Sequence, residues 1–158
     1  MRMFALVNWV SSMGGPLVVV PEVLFDDWRG GEGEEYEKAC EIDLRVGLMQ
    51  FRTGEVLVLG DVPDNTTYLP GEMSFLRWGG ADSEQQLVSW VQRGCPGGRE
   101  VQNFLWSCKG SSVLFDSILP AGEVEDFIKI PLTPGSYNVQ VFSHEGEFFA
   151  TCCKLTLC

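Results

Sequence analysis

Gly135-Ser136-Tyr137-Asn138-Val139-Gln140-Val141 decides the fold class. Tyr137, Val139 and Val141 alternate with Asn138 and Gln140. A period of two sends the first set to one face of a strand and the second to the other. One dry face and one wet face mark an antiparallel sheet packed on a single side. Pro134-Gly135 provides the turn before it. Residues 46–51 and 56–59 read as a hairpin around Thr53-Gly54. Further strand-like runs lie at 4–10, 36–44, 66–69, 74–78, 104–108, 113–116, 127–130 and 148–157. Leu17-Val18-Val19-Val20 reads as a strand buried on both faces.

Helical signals are fewer. Pro21 followed by Glu22 suits a helix start, giving up to two turns over 22–28. The main helix is expected at 82–93. Asp82 stands as its cap with Gln85 three residues on, Leu87, Val88 and Val91 form one face, and Gly94 and Pro96 stop it. The expected fold is therefore α+β, mostly antiparallel β-sheet with one main helix over 82–93. One weak echo links Val56-Leu57-Val58-Leu59 with Val113-Leu114-Phe115-Asp116, each apolar run reaching an aspartate and then a proline.

A chain of 158 residues with 45% apolar and 21% charged residues is expected to fold as one domain, 1–158. At that size roughly 70% of the unfolded surface can be buried without a disulfide or metal staple. The longest aliphatic run ends after four residues at Pro21, and the first ten residues are too short and too broken for a signal peptide. The expected compartment is the cytoplasm, where Asn65-Thr66-Thr67 has no meaning as a glycosylation acceptor. Cys40, Cys95, Cys108, Cys152, Cys153 and Cys158 form no C-x-x-C pair, so they read as free thiols. Adjacent Cys152 and Cys153 should point to opposite faces of a strand.

Charge is concentrated. Residues 22–43 hold nine carboxylates, including Asp26, Asp27, Glu32, Glu34, Glu35 and Glu37, against only Arg29 and Lys38. That block carries -7 of the chain's -11. Such a field repels nucleic acid, whose phosphates need Lys and Arg. It steers a basic partner, or it is a solvated loop that aids solubility. Trp28 borders the block and is either core or an anchor ringed by carboxylates.

Catalytic signals are thin. His144, the one histidine, sits in Phe142-Ser143-His144-Glu145-Gly146, read as an exposed turn. There is no G-x-S-x-G elbow, and Gly30-Gly31-Glu32-Gly33 lacks the Lys-Ser/Thr of a phosphate loop. Calcium is the best metal candidate at Asp26, Asp27, Glu32, Glu34 and Glu35, but the EF-hand loop is missing. No metal, cofactor or catalytic residue is therefore assigned. A sheet that binds a sugar or other small ligand through exposed tryptophans and carboxylates is the alternative class.

An ordered set of stretches adds a resemblance. Trp9-Val10-Ser11-Ser12-Met13-Gly14-Gly15-Pro16-Leu17 is followed by Pro21-Glu22-Val23-Leu24, Trp28-Arg29-Gly30 and Tyr36-Glu37-Lys38-Ala39-Cys40-Glu41-Ile42-Asp43. Then come Val58-Leu59-Gly60-Asp61-Val62-Pro63, Thr67-Tyr68-Leu69-Pro70 and Leu76-Arg77-Trp78. In this order and spacing they resemble the immunity protein 21 family of bacterial polymorphic toxin systems. Val113-Leu114-Phe115-Asp116-Ser117 and Pro134-Gly135-Ser136-Tyr137 extend the likeness over most of the chain. The resemblance implies a cytoplasmic, non-enzymatic antidote that binds and neutralises a cognate toxin domain; the acidic block, for its part, suits a basic target such as a nuclease. Asp26, Asp27, Trp28, Glu32, Glu34, Glu35 and Glu37 are the expected partner-binding residues, chosen for their charge and position rather than from a family motif.

Overall fold

A computed structural model describes residues 7–60 and 62–158 of the chain. Along the chain come β1 (Leu17–Pro21), α1 (Glu22–Phe25), α2 (Glu35–Cys40), β2 (Val46–Phe51), β3 (Gly54–Leu59), β4 (Asn65–Leu69) and β5 (Ser74–Gly80). After them follow α3 (Glu84–Gln92), β6 (Arg99–Cys108), β7 (Ser112–Asp116), β8 (Phe127–Ile130), β9 (Gly135–Glu145) and β10 (Phe149–Leu157). The strands form two five-stranded sheets, β2-β3-β1-β7-β8 and β4-β5-β10-β9-β6. Their pairings are antiparallel, so the α+β reading dominated by antiparallel sheet holds.

The alternation that opened the sequence becomes β9. Tyr137, Val139 and Val141 are buried, while Asn138 and Gln140 are half-buried and bond to Asn103 and Glu100 of the neighbouring β6. The sheets pack face to face, with Leu17, Val19, Leu57 and Leu114 of the first meeting Phe75, Trp106, Tyr137, Val139 and Cys153 of the second. Each outer face is covered in part. Val18, Val20, Val58 and Phe115 lie under residues of the 22–43 segment, and Leu76, Ala150 and Cys152 lie under α3. β1 is apolar on both faces because both are covered. Cys152 and Cys153 do face opposite ways, one toward α3 and one into the inter-sheet core.

Three side chains lock the sheets together. Gln102, aimed by a register shift in β6, accepts from the Val46 N–H at 3.1 Å and donates to the Val46 carbonyl at 2.6 Å. Glu55 of β3 accepts from the Trp106 indole through its carbonyl and from the Ser107 N–H through its carboxylate. Buried Arg77 of β5 donates to the carbonyls of Gly60 and Val62, each at 2.7 Å, and to the Thr66 hydroxyl at 3.1 Å. It thereby ties the segment leaving β3 to the second sheet.

Several local expectations are corrected. The strand expected over 36–44 is helical in part, as α2, because Tyr36, Ala39 and Cys40 fall one turn apart and Ala39 packs on the first sheet. The two turns expected over 22–28 shrink to the four residues of α1, with Pro21 as N-cap rather than first helical residue. α3 is the main helix, but Ser83 caps it in place of Asp82. The Ser83 hydroxyl accepts from the Gln86 N–H, and the Gln86 side chain reaches back to the Asp82 N–H, so the capping box is displaced by one residue. Of the strand expected over 4–10, residues 4–6 lie outside the described residues. Val10 forms an isolated bridge to Thr66.

Candidate functional site

The acidic block is a folded cap on the outer face of the first sheet. α1 leads through a turn to Trp28, a 3-10 turn spans Gly30–Glu32, and α2 follows. Leu24, Trp28 and Ala39 point down onto Phe51, Val58 and Phe115. The outward positions carry the charge. Asp26, Asp27, Glu32, Glu34 and Glu37 are exposed. Glu34 pairs with Lys38 at 3.5 Å, both side chains lying in water, so the pair is worth only about 0.3–0.5 kcal/mol. Among the described residues Glu34 is the one carboxylate of the block in an ion pair. The field of the other exposed carboxylates is left to act outward.

Two of the expected partner-binding residues do not face outward. Glu35 is half-buried, and its Oε2 is sealed from solvent without a hydrogen-bond partner. Its carboxylate folds over Gly33, where an added Cβ would come within 2.5 Å of it. Trp28 lies deeper still. It is only 1% exposed, meets Phe51 and Phe115 edge-on at 5.0 Å and 5.8 Å, and donates its indole N–H to the Ser117 carbonyl at 3.0 Å. In this conformation it anchors the cap to its own sheet and is shut off from a partner. The backbone around it does the same. Trp28 and Gly31 bond to Ala121 and Ile118, and Gly30 has φ +56 with no room for a Cβ beneath the Ile118 carbonyl.

Beside the cap lies a cleft of ≈ 240 Å³. Gly14, Gly15 and Pro16 form one wall, Tyr36, Cys40 and Asp43 another, and Gly60, Val62 and Pro63 the third. Three stretches distant in sequence, each part of the resemblance, converge here. Tyr36 rests so closely on Gly15 that a Cβ there would meet its ring at 2.6 Å. Its phenol is held above the ordinary tyrosine value by a hydrogen bond with Cys40, by desolvation, and by the charges of Cys40 and Asp116. Buried Asp116 fixes the first wall, accepting from the N–H groups of Met13 at 2.8 Å and Ile118 at 3.3 Å. Tyr36 and Gly15 were not singled out from sequence; the signal available was their membership of separate stretches of one ordered set.

The remaining candidates fall elsewhere. His144 is not on an exposed turn but within β9, half-buried, stacked on Phe148 at 4.0 Å and bonded through Nδ1 to the Phe148 carbonyl. Among the described residues no group of three or more His, Cys, Asp or Glu side chains is placed to hold a metal ion. None of the five tryptophans is exposed. Trp28, Trp90 and Trp106 are buried, and half-buried Trp9 and Trp78 meet edge-on at 5.2 Å.

The model of the family described as immunity protein 21 matches residues 8–147. The chain belongs to the immunity protein 21 family. No curated protein and no solved structure matches it. The matched region of this immunity protein takes in the acidic cap, the cleft and the first sheet whole. It ends before β10, although β10 stands at the centre of the second sheet. No helix among the described residues is long and apolar enough to cross a membrane.

Proposed function

We propose that this immunity protein binds its cognate toxin domain through the acidic cap, in the cytoplasm of the cell it protects, and neutralises the toxin by covering it rather than by catalysis. The observation that carries this reading is the separation of roles within residues 22–43. Leu24, Trp28 and Ala39 hold the segment on the sheet, while Asp26, Asp27, Glu32, Glu34 and Glu37 project from it. A rigid surface of one sign recruits a surface of the other sign and orients it on approach. The toxin surface is accordingly basic, and a nuclease, which must itself hold phosphates, is the target class that fits. The sugar-binding alternative gains nothing here, since its exposed tryptophan platform is not formed among the described residues.

The test is capture from a lysate of the encoding bacterium. Tagged wild type is run beside a variant with Asp26, Asp27, Glu32, Glu34, Glu35 and Glu37 made neutral. A stoichiometric toxin domain, identified by mass spectrometry and retained by wild type alone, supports both the immunity role and the cap as its site. Retention by both moves the interface off the cap. Capture by neither, from a lysate shown to contain the toxin, defeats the proposal.

A further inference from the structure

We propose that the groove between α1 and β8 seats an apolar anchor side chain of the toxin, flanked on the toxin by lysine or arginine. The proposal rests on the immunity reading above and adds to it a place and a chemistry. β8 is the last strand of the first sheet, so one of its sides is an edge. A groove of ≈ 280 Å³ lies beside α1 on the outer face of β7 and this edge strand, lined by Glu22, Phe25, Val113, Val124, Phe127 and Lys129. Four of these six are apolar. Phe127 is 44% exposed on the edge strand, and Val23 on α1 is 74% exposed. Large apolar side chains left in water on a sheet edge invite pairing with another chain, and proteins keep such edges short, charged or covered.

The surroundings say what covers this one. Glu22 and Asp26 stand on the α1 bank, and Glu123 and Glu125 stand exposed on the segment leading into β8. An apolar centre inside a charged rim is the layout of an interface hot spot, whose rim excludes water from the central contact. Carboxylates on both banks outnumber the one lining cation, Lys129, and set the sign of the partner's rim as basic. They also disfavour a second copy of this chain, which carries -11 itself. The volume falls just below the range of about 300–1,000 Å³ usual for small-molecule pockets, and it suits one large side chain. The groove continues the acidic cap, since α1 opens the block. Steering by Asp26 and Asp27 therefore delivers the partner to the site where Phe127 and Phe25 hold it.

The test uses the purified toxin domain that wild type captures. Its Kd is measured against wild type, Phe127→Ser, the bank variant Glu22→Lys/Glu125→Lys, and Leu105→Ser as a control. Leu105 is 61% exposed on β6, an edge of the other sheet. Phe127→Ser and the bank variant should each weaken binding by about tenfold or more, with unchanged melting temperatures, and Leu105→Ser should bind as wild type. Wild-type affinity in both groove variants overturns the proposal while leaving immunity intact. A concentration-dependent dimer that Phe127→Ser dissociates assigns the groove to a second copy and overturns it too. If wild type captures no toxin domain, the immunity reading fails and the groove proposal falls with it.

Discussion

At the scale of single residues, Trp28 is a core side chain set inside a charge run. Its neighbours Asp26, Asp27 and Arg29 are exposed, yet its ring fills the space between Phe51 and Phe115. Trp28→Ala should cost roughly 3–5 kcal/mol by chemical denaturation, as for other large buried aromatics. Trp28→Phe should cost less, mainly the hydrogen bond to the Ser117 carbonyl, or about 1–3 kcal/mol. An exposed anchor would show neither loss. Core and anchor were both open in the sequence, because the carbonyl that receives the indole lies 89 residues away. A second residue-scale outcome concerns alkaline pH. Burial pushes the Tyr68 phenol from 10.0 up to about 12, and burial pushes the Cys153 thiol from 9.0 up to about 12. Both groups stay protonated in the folded chain where the unfolded chain has already lost the proton, so the stability they contribute is whole below pH 9 and drains away as pH climbs toward 12. The melting temperature should fall across that window, and Tyr68→Phe should flatten the part that begins near pH 10.

At the scale of elements, periodicity was a good guide wherever a segment was long enough to show it. β9 was legible from five alternating residues, and α3 from the spacing of Leu87 and Val91 with its stop at Gly94. α2 was not. Its six residues carry a single buried position, Ala39, and Tyr36 and Cys40 sit as naturally in strands as in helices. Cap identity is equally sensitive to a shift of one residue, since Asp82 and Ser83 are both good caps and only the geometry selects Ser83. Ser83→Ala should therefore destabilise the protein by about 1 kcal/mol in thermal or urea unfolding, and Asp82→Ala, which keeps the N–H that Gln86 reaches, should cost much less.

At the scale of the molecule, the echo between 56–59 and 113–116 acquires a physical meaning. β3 and β7 flank β1 on either side, and the echoed positions meet the same partners, Leu57 and Leu114 opposite Val19, Val58 and Phe115 opposite Val18. Two strands that pair with one buried strand face the same two cores, so they draw on the same residues. The strand order that creates this symmetry, and the convergence of Gly15, Tyr36 and Gly60 on one cleft, depend on contacts between distant segments and carry no local signal. Charge, by contrast, was legible from sequence alone, and the fold turns it into a surface by burying Trp28 beneath it. Recruitment of the toxin is the role proposed for this surface. It is tested most directly by titrating the purified toxin domain into wild type and into the variant neutralised at Asp26, Asp27, Glu32, Glu34, Glu35 and Glu37, across a series of salt concentrations. The account predicts that wild-type Kd rises steeply with salt through the physiological range, where the Debye length is ~8 Å, and that the variant binds weakly with little salt dependence. Equal, tight and salt-independent binding by both proteins would contradict it.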